Sequence, residues 1–151
     1  MESCVNKDGV VFEELIIINE NSVKIEELEH PLTHALVIAK NEKGFLLMYN
    51  TWKNHWEVPG GLIEKGETMR RCAEREMFEE TNQIAEIIEF KGLMKFKFKN
   101  NKTEYGGLFK AFIKQERQFL DNKETNKIIF WNGIDDIGYI DEIDKKLLEY
   151  Y

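Results

Sequence analysis

Glu76, Glu79 and Glu80 crowd three carboxylates into the short stretch REMFEE. Advanced by about 100° per residue as a helix, Met69, Cys72 and Ala73 fall on one side. Glu76 and Glu80 fall near the middle of that same side, Glu79 at its margin, and Phe78 points the opposite way. A lone charge on an inward face would cost several kcal/mol or be forced to protonate, and a purely solvated acidic face would not share its side with apolar residues. Carboxylates gathered there suit a divalent cation. Oxygen ligands with open positions fit Mg²⁺, with Mn²⁺ as a substitute, because these ions keep waters and accept phosphate oxygens. Arg75 lies beside Glu79 around the helix and is expected to pair with carboxylates. The preceding loop, PGGLIEKGE, has glycines at 60, 61 and 66. Glycine lets a ligand approach the backbone closely, so Gly60 could present its carbonyl to a cation.

These groups must be positioned by the surrounding elements. The helix is expected from about Thr68 to Thr81, with Glu67 suited to its positive N-terminal end and Asn82 to a left-handed stop. Upstream, VVFEELIII (Val10–Ile18) reads as a strand, and Asn19–Leu28 as a turn with a short second strand. Thr33–Ala39 and Gly44–Tyr49 flank KNEK as a hairpin, and Trp56–Val58 is a short strand stopped by Pro59. Downstream, strands are expected at Ala85–Glu89, Lys91–Lys99, Glu104–Lys114 and Lys127–Trp131, with a turn at Asn100–Lys102. The apolar spacing of Ile143, Leu147, Leu148 and Tyr150 predicts a closing helix over Asp141–Tyr150. Strands and two helices in this order predict an α/β domain with a mixed sheet between helices.

The 151 residues fit one domain, 1–151, large enough for a core without staples. No apolar run approaches the ~20 residues of a membrane span. MESCVNKDG lacks the basic start and apolar core of a secretory signal, so the expected compartment is the cytoplasm. Cys4 and Cys72 have no metal or redox spacing and read as reduced thiols, Cys4 in a mobile tail. A net charge of −7 argues against charge-driven binding to duplex nucleic acid or an anionic membrane. It leaves room for a small phosphorylated substrate, since a metal cluster reverses the local sign.

The segment GLIEKGETMRRCAEREMFEETNQ, Gly61 to Gln83, resembles the Nudix box, G-x5-E-x7-R-E-U-x-E-E-x-G-U, with U aliphatic. Gly61, Glu67, Arg75, Glu76, Met77, Glu79 and Glu80 fall into register. Asn82 stands where the pattern has Gly, and Gln83 where it has an aliphatic residue, a loss offset by Ile84 beside it. The resemblance implies the Nudix fold, an α/β/α sandwich with a mixed sheet, and a cation-dependent hydrolase of nucleoside diphosphates linked to a group X. It implies that Glu76, Glu79 and Glu80, with the Gly60 carbonyl, hold Mg²⁺, and that Glu67 and Arg75 form a supporting pair. For the base that takes a proton from water it implies two candidates, Glu79 and Glu124, the latter in the loop before a predicted strand.

Around this loop, Trp52 and His55 are candidates to stack on or contact the substrate, whereas Trp56 is expected in the core. Lys95, Lys97 and Lys99 alternate with Met94, Phe96 and Phe98 and read as the solvated side of a strand. No proline follows Pro59, unlike many relatives that cleave ADP-ribose, and the compact domain is similar to relatives that hydrolyse nucleoside triphosphates, oxidised ones included. The leading expectation is therefore hydrolysis of a free (deoxy)nucleoside triphosphate to monophosphate and pyrophosphate. Removal of pyrophosphate from an RNA 5′ end and a non-catalytic nucleotide sensor are the alternatives. An N-terminal strand could pair within the chain or across a homodimer.

Overall fold

The computed structural model describes residues 3–151, leaving the first two residues of the segment searched for a signal outside. Its strands are β1 (Cys4–Val5), β2 (Val11–Ile16), β3 (Leu32–Asn41), β4 (Gly44–Asn50), β5 (His55–Glu57), β6 (Gly60–Leu62), β7 (Ile88–Lys97), β8 (Thr103–Phe112) and β9 (Thr125–Trp131). The helices are α1 (Met69–Thr81) and α2 (Glu142–Leu147), the latter extended by a 3-10 turn over Leu148–Tyr150. The strands form one sheet in the order β1-β2-β7-β8-β3-β4-β5, with β6 on β3 and β9 on β4. Among the described residues, β3 and β8 are the only strands paired parallel; the other strand pairs are antiparallel. The mixed sheet between helices expected from the sequence is thus present.

Alternation along the central strands sorts their side chains onto the two faces. Val37, Leu46, Leu93 and Phe109 join Met69, Cys72, Ala73 and Met77 of α1 in one core. Their neighbours Ile38, Leu47, Met94 and Leu108 join Trp56, Ile143 and Leu147 in a second core under α2. Because both faces are covered, these strands read as continuous apolar runs rather than as alternating ones.

Several local expectations are corrected. Cys4 is not in a tail but opposite Phe12 in β1, an edge strand paired within the chain. Asn19–Leu28 holds no second strand; it forms two 3-10 turns at Glu20–Ser22 and Ile25–Glu27. This segment lies against α1, with Val23 and Leu28 packed on its core and Glu20 gripped by Arg70 at 2.6 and 3.1 Å. The strands expected at Ala85–Glu89 and Lys91–Lys99 are one strand, β7, which starts at Ile88 and crosses a bulge at Gly92, where φ is 153°. The strand β6 was not expected: its glycines lack the side chains that mark strands, and it forms because β3 offers it a free edge.

Candidate active site

The loop that opens the site is stitched to β3. The Val37 N–H donates to the Pro59 carbonyl at 2.9 Å, and Gly60 and Gly61 pair with Leu36 and Ala35. Thr68 caps α1, its hydroxyl accepting from the Arg71 N–H at 3.1 Å. Asn82 ends the helix at φ 59°, the left-handed geometry expected of it. Between these stops, the helical period turns Met69, Cys72, Ala73, Met77 and Glu80 inward, while Phe78 is exposed.

Arg75 organises the box carboxylates. Its Nε and Nη2 grip Glu67 at 2.7 and 2.9 Å, a bidentate pair. Its Nη1 reaches Glu76 at 2.8 Å and Glu79 at 3.2 Å, and Nη2 also donates to the Leu62 carbonyl. The hydrogen bond from Arg75, aided by the Glu64 N–H, holds Glu67 down at about 2. Glu67 in turn raises the pKa of Arg75, so the pair stays charged.

Glu80 is the site's least comfortable group. It is 5% exposed, and among the described residues its carboxylate accepts one hydrogen bond, from the Gly60 N–H at 2.9 Å. Burial first, then the neighbouring Glu76, Glu124 and Glu57, push it up to about 9. Burial also raises Glu76 against the pull of Arg75. The Glu76 carboxyl lies directly over Gly61, where an added Cβ would sit 2.5–2.8 Å from its atoms. Glycine at 61 therefore serves to admit a carboxylate rather than to bend the chain.

Glu124 ends the loop 113–124, which joins β8 to β9. Its charge is felt at both Glu76 and Glu80, so the fold brings it to the box from more than forty residues away. Its carbonyl accepts from the Thr51 N–H at 3.2 Å. Glu57 was missed by the sequence reading. Held by Asn50 Nδ2 at 3.1 Å and His55 Nε2 at 2.8 Å, it adds a further negative charge felt at Glu80. Its alternation with buried Trp56, immediately before the glycine loop, was the available signal.

A cleft of ≈ 210 Å³ adjoins Gly60 and Gly61, and among its lining residues are His34, Lys53, Glu57, Phe96, Phe98 and Asp144. Burial lowers His34 to about 4, leaving the ring neutral at pH 7. The Thr33 hydroxyl donates to Glu104 at 2.7 Å and lies 2.9 Å from His34 Nδ1. Its hydrogen being committed, its oxygen accepts from Nδ1–H, which leaves Nε2 as an acceptor.

The structure places the two expected substrate contacts outside the lining of this cleft. Trp52 is 78% exposed in the turn 51–54 and does not line this cleft. His55 is 1% exposed, its ring tilted against Tyr139 and its Nε2 on Glu57, so in this structure it supports a carboxylate. Trp56 is in the core as expected. Met94 and Phe96 are buried, Lys97 and Lys99 are exposed and Lys95 is partly exposed, which leaves the lysines as the solvated side.

The box carboxylates face Arg75 and a backbone N–H rather than one another, and among the described residues no three acidic, His or Cys side chains form a ready cage. The donor set nevertheless fits a hard cation: it is all oxygen, and buried Glu80 has a single donor where a cation would relieve its burial.

Comparison with known proteins bears on the family and the fold. The family model described as NUDIX domain matches residues 30–151. A MutT-like protein of Streptomyces ambofaciens is 32% identical over 66 residues, which are 44% of this chain and 43% of that protein; the match therefore spans under half of its length. The fold is similar to that of the Bacillus subtilis pyrophosphohydrolase BsRppH, with a TM-score of 0.74 at 19% identity, covering 96% of this chain and 89% of that one. It is also similar to the MutT NUDIX hydrolase of Burkholderia pseudomallei, with a TM-score of 0.67 at 16% identity, covering 81% and 98%. With the glycine loop, the Glu67–Arg75 pair and the inward carboxylates in place over a matched span of 122 residues, the chain belongs to the Nudix hydrolase family.

Proposed function

We propose that this chain hydrolyses a free (deoxy)nucleoside triphosphate, oxidised forms included, to the monophosphate and pyrophosphate. The observation that carries the reading is buried Glu80, held by one N–H beside Glu76 and Glu124 and pushed up to about 9. Such a group is poised to exchange its proton for a cation. Glu76, Glu79 and Glu80, with the Gly60 carbonyl, would hold Mg²⁺ or Mn²⁺. When bound, the ion would offset charge on the phosphate oxygens and acidify water.

The chain's own residues supply the rest. Glu67 fixes the Arg75 guanidinium, and Arg75 sets the directions of Glu76 and Glu79. Water attacks a phosphorus of the link in line, the bond to the leaving phosphate breaks, and pyrophosphate departs with the electron pair. Glu124 takes the water proton, with Glu79 the alternative base. The cleft beside Gly60 is lined by aromatic rings, a neutral imidazole and carboxylates with only one nearby lysine, Lys53. That lining suits a stacked, uncharged base with hydrogen-bond donors better than a further phosphate.

The test is phosphate release with Mg²⁺ or Mn²⁺, with and without added pyrophosphatase. The panel spans normal and oxidised nucleoside triphosphates, ADP-ribose, dinucleoside polyphosphates and a 5′-triphosphate RNA. Release from a triphosphate only when pyrophosphatase is added supports the proposal. Release from the RNA but from no free nucleotide overturns the substrate, and silence with nucleotide binding retained overturns catalysis.

A further inference from the structure

The two positions at which this chain departs from the box pattern, Asn82 and Gln83, do not merely end α1. Gln83 is fully buried, whereas Ile84, expected to replace it as the apolar residue, is 51% exposed. The amide of Gln83 makes a reciprocal pair with the backbone of Arg117: Nε2 donates to its carbonyl at 2.7 Å and Oε1 accepts from its N–H at 2.9 Å. Asn82 Nδ2 donates to the Gln118 carbonyl at 2.7 Å, and Arg117 Nε returns a bond to the Asn82 carbonyl at 2.9 Å. Four residues on, Asn122 Nδ2 donates to the Glu80 carbonyl at 2.9 Å, while its Oδ1 accepts from the N–H groups of Glu124 and Thr125 at 3.1 and 3.0 Å. The loop 113–124 is therefore tied to the C-terminal end of α1 at both ends of the stretch leading to Glu124. Glycine at 82 could not make the bond to Gln118, nor an aliphatic residue at 83 the pair with Arg117.

We infer that Asn82 and Gln83 are positioning residues, which latch the loop 113–124 to the helix that carries the box and so hold the Glu124 carboxylate at the reacting water. The inference rests on the reading of Glu124 as the base and deepens it. The latch replaces an apolar plug by directional bonds, and directional bonds fix a loop's register where an apolar contact lets it slide. Buried amide pairs of this kind are strongly dependent on both partners, because losing one leaves the other unsatisfied.

The test compares Asn82→Gly, Gln83→Leu and Glu124→Gln, singly and combined, on the triphosphate that gives the strongest signal. Asn82→Gly keeps the left-handed backbone without strain and removes only the bond to Gln118, so it remains informative if Gln83→Leu fails to fold. We expect kcat to fall about 10-fold or more in the latch variants with KM nearly unchanged, since a displacement of about 1 Å costs up to ~10²-fold. In the Glu124→Gln background the same changes should have almost no further effect, the non-additivity of groups acting as one unit. Hydrogen exchange at the Glu124 and Thr125 amides should quicken in the latch variants. Losses that multiply with that of Glu124→Gln, unchanged exchange at those amides, or full activity in Asn82→Gly and Gln83→Leu would each overturn the latch. A Glu124→Gln enzyme with undiminished kcat would instead overturn Glu124 as the base, and with it a latch acting through that residue.

Discussion

Replacing Gly61 by alanine should separate activity from stability, because of where the added methyl would lie. Its nearest neighbours are the carboxyl atoms of Glu76, at 2.5, 2.6 and 2.8 Å, against an ordinary contact that begins at 3.4 Å. The carboxylate must therefore retreat by about 0.9 Å. It sits at the end of a flexible side chain, so the retreat costs the fold little. Gly61 is not among the positive-φ residues, so alanine brings no backbone strain, and the stiffer unfolded chain contributes about 0.4–1 kcal/mol of stability. Catalysis has no such tolerance: a displacement near 1 Å costs about 10²-fold, or about 2.7 kcal/mol of transition-state stabilisation. The expected result in a pyrophosphate-release assay with Mg²⁺ is a loss in kcat/KM of that order, with Tm unchanged or slightly raised. Gly60→Ala should behave oppositely at the level of the fold, since its Cβ would meet the Leu36 side chain at 2.3 Å and the Ala35 carbonyl at 2.4 Å. Overpacking against backbone should lower Tm by roughly 3–9 °C. A Gly61→Ala protein with near wild-type turnover, or with a Tm loss matching that of Gly60→Ala, would refute the placing of Glu76 against Gly61.

Glu67→Gln keeps the shape of the Arg75 partner but removes its charge, so kcat should fall about 10–100-fold, as for other groups that orient ligand-bearing side chains; unchanged kcat would make the pair ornamental. Glu80 has a folded-state pKa near 9 against 4.5 unfolded, so its contribution favours the fold below 4.5 and is lost as pH rises through 9. Without divalent cation, Tm should decline from pH 5 to 9 and Glu80→Gln should flatten part of that slope; Asp144, also raised by burial, keeps the remainder. Added Mg²⁺ should release protons into a weakly buffered dye solution at pH 7, and a silent dye would count against Glu80 as a ligand. His34 is shifted the other way, from 6.5 to about 4, so it favours the fold above 6.5 and that contribution is lost as pH falls through 4. Its ring resonances should titrate below pH 5, and a midpoint near 6.5 would place the imidazole in solvent.

What could be read locally was read from local physics. The period of α1 put Glu76 and Glu80 among the apolar residues, because 3.6 residues per turn fixes which side chains share a face. Asn82 stopping the helix and Arg75 pairing with carboxylates follow from backbone and charge preferences that need no distant partner. The hairpin of β3 and β4 was legible for the same reason, its turn and its two apolar runs being contiguous.

What differed from expectation was decided by strand pairing and loop closure rather than by local sequence. His55 is a candidate substrate contact by sequence; pairing of β5 on β4 sets it opposite Asn50, with Glu57 on its Nε2. Gln83 looked like a weakened apolar position, yet Arg117, 34 residues away, satisfies both ends of its amide. Ala85–Ile87 had the composition of a strand but no neighbour to pair with, and so stayed a bend before β7. The sequence by itself determined which face of α1 carries the carboxylates and which charge holds them, since both are set by a single helix's geometry. Only the tertiary structure decided that the charges of Glu57 and Glu124 are felt at Glu80, because sheet pairing and loop closure, not spacing along the chain, bring them within reach of it.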